Sequence, residues 1–183
     1  MPMKPHSFTV DRTKTPARIE LADMLNISVP FLDRHLAEGR GSKVVARWRT
    51  RDLTFAQLHD GVCRTARALK SLGVAPGDRV MLFAKDCPAF YYGFLGAARI
   101  GAVVIPVNTF LREADYAYML ADSKAKVLLA SDGPIDEIVP ALARPGVEIK
   151  HCIAIDTPRE GWLFLDELLA AAPSDCPPEP TTP

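Results

Sequence analysis

The chain has 183 residues and a mass of 20.0 kDa; 48% of the residues are hydrophobic, 24% are charged, and 22 basic side chains offset 22 acidic ones. These are globular proportions, which exclude a disordered or collagen-like chain. Zero net charge also removes the basic excess that a nucleic-acid binder carries as its footprint.

Residues 1–25 are polar and rich in Pro, Lys and Thr, and are expected to form an irregular arm. Asn26 or Ser28 then caps a predicted helix with Pro30 in its first turn and Gly39 at its end. Val44, Val45 and Trp48 suggest a strand, and the turn at Arg49–Asp52 leads to a short return strand. Thr54-Phe55-Ala56-Gln57 has the spacing of a capping box, in which the hydroxyl accepts from a first-turn amide and Gln57 reaches back. Phe55, Leu58, Val62, Ala66, Leu69 and Leu72 follow at three- and four-residue steps, one buried face of a helix that Gly73 ends.

From Arg79 onward short apolar runs alternate with helical patterns. Strands are predicted over 79–84, 102–105, 126–130 and 149–155, and helices over 88–100, 113–121, 135–142 and 164–171, with Pro140 near the end of the third. Ala89, Gly93, Ala97 and Gly101 place a stripe of small residues on one helix side, which permits close packing. The fold class is α/β: an open, mainly parallel sheet flanked by helices on both faces. Residues 26–172 make this subdomain. Residues 173–183 are expected to be a Pro-rich linker at a truncation point.

Cys63, Cys87, Cys152 and Cys176 form no C-x-x-C pair and read as reduced, apolar residues. No apolar segment follows the N-terminal charge, and the weakly charged stretch from Cys87 to Leu111 is interrupted by Arg99, Gly101 and Pro106. Neither secretion nor a membrane span is expected, and the location read is cytoplasmic.

Asp86, Asp132 and Asp156 each follow a predicted strand, where an open parallel sheet forms its ligand crevice. Together they could hold Mg²⁺ through oxygen ligands. Asp beside Ser, Gly, Pro or Thr is more commonly a turn residue, so no metal site is assigned. His151 and Cys152 are adjacent in a strand and point to opposite faces. His35 and His59 have no acidic orienter at a convincing spacing, and Ser131 lies outside any G-x-S-x-G elbow. The catalytic set is therefore empty.

The order of motifs nevertheless resembles the adenylate-forming acyl-CoA synthetases. Leu53–Leu58, Leu69–Gly73 and Val74-Ala75-Pro76-Gly77-Asp78-Arg79-Val80 look like the front of that family, and Phe94–Thr109 resembles a hallmark segment. Tyr116–Ser123 with Lys126–Leu129, and Phe31–Gly41, are similar to the benzoate-CoA ligase branch. The resemblance implies the front subdomain of an acyl-CoA synthetase N-terminal domain. Its parent would couple an aromatic acid such as benzoate to CoA with Mg·ATP, through an acyl-adenylate and with release of AMP and pyrophosphate.

ATP, Mg²⁺ and CoA are expected to serve that parent and none of them the fragment, because the phosphate loop, the acyl pocket and the adenylation lysine would all lie downstream. The expected partners are those small molecules, without nucleic acid or membrane, together with a homodimer or edge-mediated self-association. In some relatives the loop after the Pro-x-Asn segment carries a basic residue near the CoA nucleotide. Here Asn108-Thr109-Phe110-Leu111-Arg112 places Phe110 at that position and Arg112 nearby, so Arg112 is the candidate CoA contact, while Asn108 reads as a turn residue. The alternatives are a free-standing flavodoxin-like or receiver-like domain and a non-catalytic interaction module.

Overall fold

A computed structural model describes residues 3–183. Its centre is a five-stranded parallel sheet in the order β6-β5-β7-β8-β9, formed by β5 (Arg79–Phe83), β6 (Val103–Pro106), β7 (Val127–Ala130), β8 (His151–Ala154) and β9 (Leu163–Phe164). The first four strands are the predicted ones. The fifth was not expected: two residues carry no periodicity, and the sequence there reads as the start of the last helix.

Alternation along each strand splits the core in two. Val80, Leu82, Val127, Leu129 and Ile153 face α2 (Phe55–Ser71), α3 (Pro88–Arg99) and α6 (Leu165–Ala171). Met81, Phe83, Leu128, Ala130 and Ala154 face α4 (Glu113–Ser123) and α5 (Pro134–Leu142). Both faces are thus covered, which is why the strands are continuously apolar. α5 runs through Pro140, which lies in its last turn.

The capping box at α2 forms: Gln57 N–H donates to Thr54 Oγ1 (3.3 Å) and Thr54 N–H to Gln57 Oε1 (2.9 Å). Gly73 adopts φ +77°, the left-handed conformation that ends the helix. α2 and α3 pack through glycines. A Cβ at Gly96 would lie 3.1 Å from Thr65 Cβ, and one at Gly61 only 2.5 Å from the Tyr92 ring. Gly93, on the small-residue stripe, sits over Leu82 and Leu129 of the sheet.

Three expectations need correction. The arm is not irregular: β1 (Phe8–Asp11) and β2 (Arg18–Leu21) pair antiparallel, with Phe8 opposite Leu21 and Val10 opposite Ile19. Its turn is set by Asp11, whose carboxylate accepts from the Thr13 N–H and hydroxyl. The two-residue alternation was present in the sequence but masked by the Pro, Lys and Thr around it.

The capped helix at Asn26–Gly39 is instead a π turn over Val29–Asp33 followed by the single-turn α1 (Arg34–Ala37). Asn26 does not cap it conventionally; its carbonyl oxygen accepts from Ser28 N–H and Oγ, while its amide reaches three backbone carbonyls elsewhere. Residues 173–183, finally, are not a free linker. Cys176 is buried, and the segment is hydrogen-bonded across the amino ends of the strands to residues 25, 26 and 99. The remaining hairpin, β3 (Val44–Trp48) with β4 (Arg51–Thr54), is as predicted.

Candidate functional site

The strand order reverses at β5, which has β6 on one side and β7 on the other. In an open α/β sheet this switch point opens a crevice at the carboxyl ends of the strands. Lys85, Asp86 and Cys87 follow β5 there, Ser131, Asp132 and Gly133 follow β7, and Asp156 follows β8. The two central loops are tied together: Ser131 N–H donates to Phe83 C=O (3.0 Å), and Lys85 N–H donates to Ser131 Oγ (3.3 Å). Gly133 has φ +84°, and a Cβ there would stand 3.0 Å from Lys85 Nζ, so the ammonium lies over a bare backbone at the start of α5.

The strand-end aspartates serve the loops. Asp156 accepts from Asp132 N–H (2.8 Å), and the Asp132 carboxylate accepts from the Thr157 hydroxyl (2.8 Å). Among the described residues no three His, Cys, Asp or Glu side chains are placed to hold a metal ion. Asp132 and Asp156 are engaged by these loop bonds and do not combine with Asp86 into a Mg²⁺ site.

Beside the crevice, on the α2–α3–α6 face, lies an open cleft of about 1070 Å³. Trp48, Gln57, Asp60, Tyr92, Asp156 and Asp166 are among its lining residues. Arg64 in its wall is committed, donating to Asp60 and to the Leu169 and Ala172 carbonyls.

Arg112 lies on the other face of the sheet, at the start of α4. Its side chain is 85% exposed, with Glu137 Oε1 at 4.0 Å, and its N–H is capped by Asp115 Oδ2 (3.2 Å). Phe110, two residues before it, is 91% exposed. Asn108 Oδ1 accepts from Phe110 N–H (2.9 Å), the turn role read from the sequence. The loop thus presents an aromatic ring and a guanidinium side by side to solvent.

One pairing was missed. His59 Nε2 lies 3.1 Å from Asp33 Oδ1, so the histidine does have an acidic orienter, 26 residues earlier on a different element. Bonds from Asp33, and then from Cys63, raise the His59 pKa to about 9. Burial pushes Asp33 upward, but bonds from His59 and Arg99 outweigh it and hold the carboxyl below its ordinary value. Asp33, His59 and Cys63 share the residue types of a catalytic triad without its geometry. Cys63 Sγ is 3.8 Å from Nδ1 and 3.7 Å from Nε2, aligned with neither nitrogen in particular, and it is fully buried. A nucleophile needs a base in line and a path for substrate.

His151 and Cys152 are both half-buried on opposite faces, and burial pushes the Cys152 thiol up to about 11. His35 stacks on Phe55 at 4.0 Å.

Residues 33–183 match the family described as AMP-binding enzyme. The chain belongs to that family. Over 148 residues, 79% of this chain, it is 36% identical to a 4-hydroxybenzoate–CoA/benzoate–CoA ligase of Rhodopseudomonas palustris, of which it covers 27%. It is 31% identical to an acetyl-coenzyme A synthetase of Serratia proteamaculans, over 97% of this chain and 31% of that protein. Among solved structures, the anthranilate CoA ligase AuaEII in complex with anthranoyl-AMP superposes with a TM-score of 0.82 at 27% identity, over 88% of this chain and 31% of that one. As an AMP-binding family member, the chain thus spans between about a quarter and a third of the length of these relatives.

Proposed function

We propose that the chain is the front part of an adenylate-forming ligase that joins an aromatic carboxylic acid to coenzyme A. The observation that carries this reading is the 36% identity with a 4-hydroxybenzoate–CoA/benzoate–CoA ligase. The likeness to an anthranilate CoA ligase, another aryl acid enzyme, supports it. In the reaction a carboxylate oxygen attacks the α-phosphorus of ATP and pyrophosphate leaves. The CoA sulfur then attacks the acyl carbon and AMP leaves. Both first reactants are anions, so the transition state needs a set of positive or hydrogen-bonding groups around it. The residues present supply neither a phosphate loop nor a metal site, and the 183-residue chain alone is expected to form no acyl-adenylate. Its part is to carry the sheet and its switch-point crevice. In this reading the ligase works in the cytoplasm, where it can draw on ATP and CoA.

Arg112 is assigned to the CoA nucleotide in this reading, with exposed Phe110 beside it as a stacking surface for the adenine. Guanidinium against phosphate with an aromatic ring next to it is a pairing suited to a nucleotide.

The test uses the longest product of the source gene, with ATP, CoA and a panel of benzoate, hydroxybenzoates, aminobenzoates and acetate. An aryl acid should exceed acetate by at least tenfold in kcat/KM for AMP release. Acetate preference, or no acid-dependent AMP at all, overturns the proposal. In the same enzyme Arg112→Ala should raise the KM for CoA several-fold and leave ATP–pyrophosphate exchange unchanged. An unchanged CoA dependence would remove Arg112 from the site.

A further inference from the structure

After α6 the chain turns at Pro173 and crosses the amino ends of the strands, the pole opposite the crevice. Little apolar surface holds it there. Cys176 is its one buried side chain, while Pro177, Pro180, Thr182 and Pro183 are exposed. Polar bonds do the rest. Arg99 Nε donates to the Cys176 carbonyl. Asn26 Nδ2 donates to Glu179 C=O (2.9 Å), and Glu179 N–H to Arg99 C=O (2.8 Å). Leu25 N–H donates to Thr181 C=O (2.7 Å), and the Thr181 hydroxyl returns a bond to Leu25 C=O (2.7 Å). Arg67 and Lys70 of α2 add ion pairs to Asp175 and Glu179.

On the body side, the two buried side chains keep partners of their own without the segment. Asn26, fully buried, also donates to the Ala98 and Arg99 carbonyls (3.0 and 3.1 Å). Arg99, with its side chain 5% exposed, also donates to Asp33 and Ser28. Neither side chain would be left without partners if the segment lifted off. None of the sheet's strands draws on residues 174–183. A segment with few buried apolar contacts, docked on side chains that keep other partners, sits at the low end of local stability.

We propose that residues 174–183 are a latch that opens as a unit while the sheet stays folded, with Asn26 and Arg99 as its catch. Closed, the latch shields Cys176, whose thiol burial holds above its ordinary pKa, against the pull of Lys70, Arg67 and Arg99. Open, it presents that thiol to solvent and frees the Leu25 N–H. The inference is independent of the ligase reading, since it concerns only contacts within this chain.

Alkylation with iodoacetamide, resolved by peptide mass spectrometry across a urea series, reads the latch directly. Cys63, fully buried in α2, reports global unfolding in the same sample. Without urea, Cys176 should label at least tenfold faster than Cys63 and with a weaker urea dependence. The double substitution Glu179→Pro/Thr181→Val, confined to the latch, removes the Glu179 N–H and the Thr181 hydroxyl. It should speed Cys176 labelling at least threefold further and raise amide exchange at Leu25, with Cys63 unmoved. Equal rates and equal urea slopes at Cys176 and Cys63 would overturn the proposal. So would fast Cys176 labelling that the double substitution leaves unchanged, because exposure would then not arise from opening.

Discussion

The Asp33 carboxylate is the residue on which most of the buried charge depends, since it faces both the Arg99 guanidinium (2.9 Å) and His59 (3.1 Å). The consequences of pH follow with definite signs. His59 binds its proton more tightly folded than unfolded, up to a pKa of about 9 from an ordinary 6.5. Its contribution is therefore full below about pH 6.5 and is lost as pH rises through 9. Asp33 is shifted the other way, so its contribution is present above its ordinary pKa of 3.8 and is lost as pH falls below that. Thermal melts across pH should show stability highest between about 4 and 6.5, declining by roughly 1–3 kcal/mol toward pH 9.5. Asp33→Asn should abolish the alkaline limb and cost about 3–5 kcal/mol, because it leaves Arg99 buried without its counter-charge. A variant that keeps the alkaline limb would place the titration elsewhere.

None of this cluster was legible in the sequence. Asp33, His59 and Arg99 come from three elements, and only their packing brings them together. Thr54 and Gln57 were legible because both halves of their contact lie within one helical turn.

At the scale of elements, the glycine contacts between α2 and α3 set how closely the two helices approach. Gly61→Ala would drive a Cβ to within 2.5 Å of the half-buried Tyr92 ring, so the ring must move. Urea unfolding should show a loss of about 1–3 kcal/mol, the usual cost of overpacking. Tyr92→Ala in the same chain should recover part of it, since the two residues share one contact. Additive losses would mean that the helices part rather than the ring turning.

The strands and long helices were readable because burial on both sheet faces writes itself as unbroken apolar runs between capped helices. The short hairpin Phe8–Leu21 and the latch were not. The hairpin's alternation is only four residues per strand, and composition around it points to a coil. The latch is held mainly through backbone carbonyls of Cys176, Glu179 and Thr181, which leave no side-chain pattern to read.

At the scale of the whole molecule, the central sheet ends in an edge strand on each side, β6 and β9. β6 is an edge of the sheet, and Val103 on it is 51% exposed. An exposed apolar edge is a template for pairing with another chain. Sedimentation equilibrium of the 183-residue chain should show self-association that Val103→Lys weakens at least tenfold. Association unaltered by that change would locate the contact on another surface. The Arg112 loop and the open cleft lie on opposite faces of this sheet, so within this fold they cannot line one pocket.

The reciprocal bonds between Leu25 and Thr181 also have a mechanical meaning. They stitch residue 25 to residue 181 at one pole. A load drawn between residues 25 and 181 meets this seam before it reaches any strand of the sheet. The load falls on a few hydrogen bonds that peel one after another, as teeth of a zip do, and not on the parallel ladder that would have to shear at once. The domain would yield early along its border and hold at its centre.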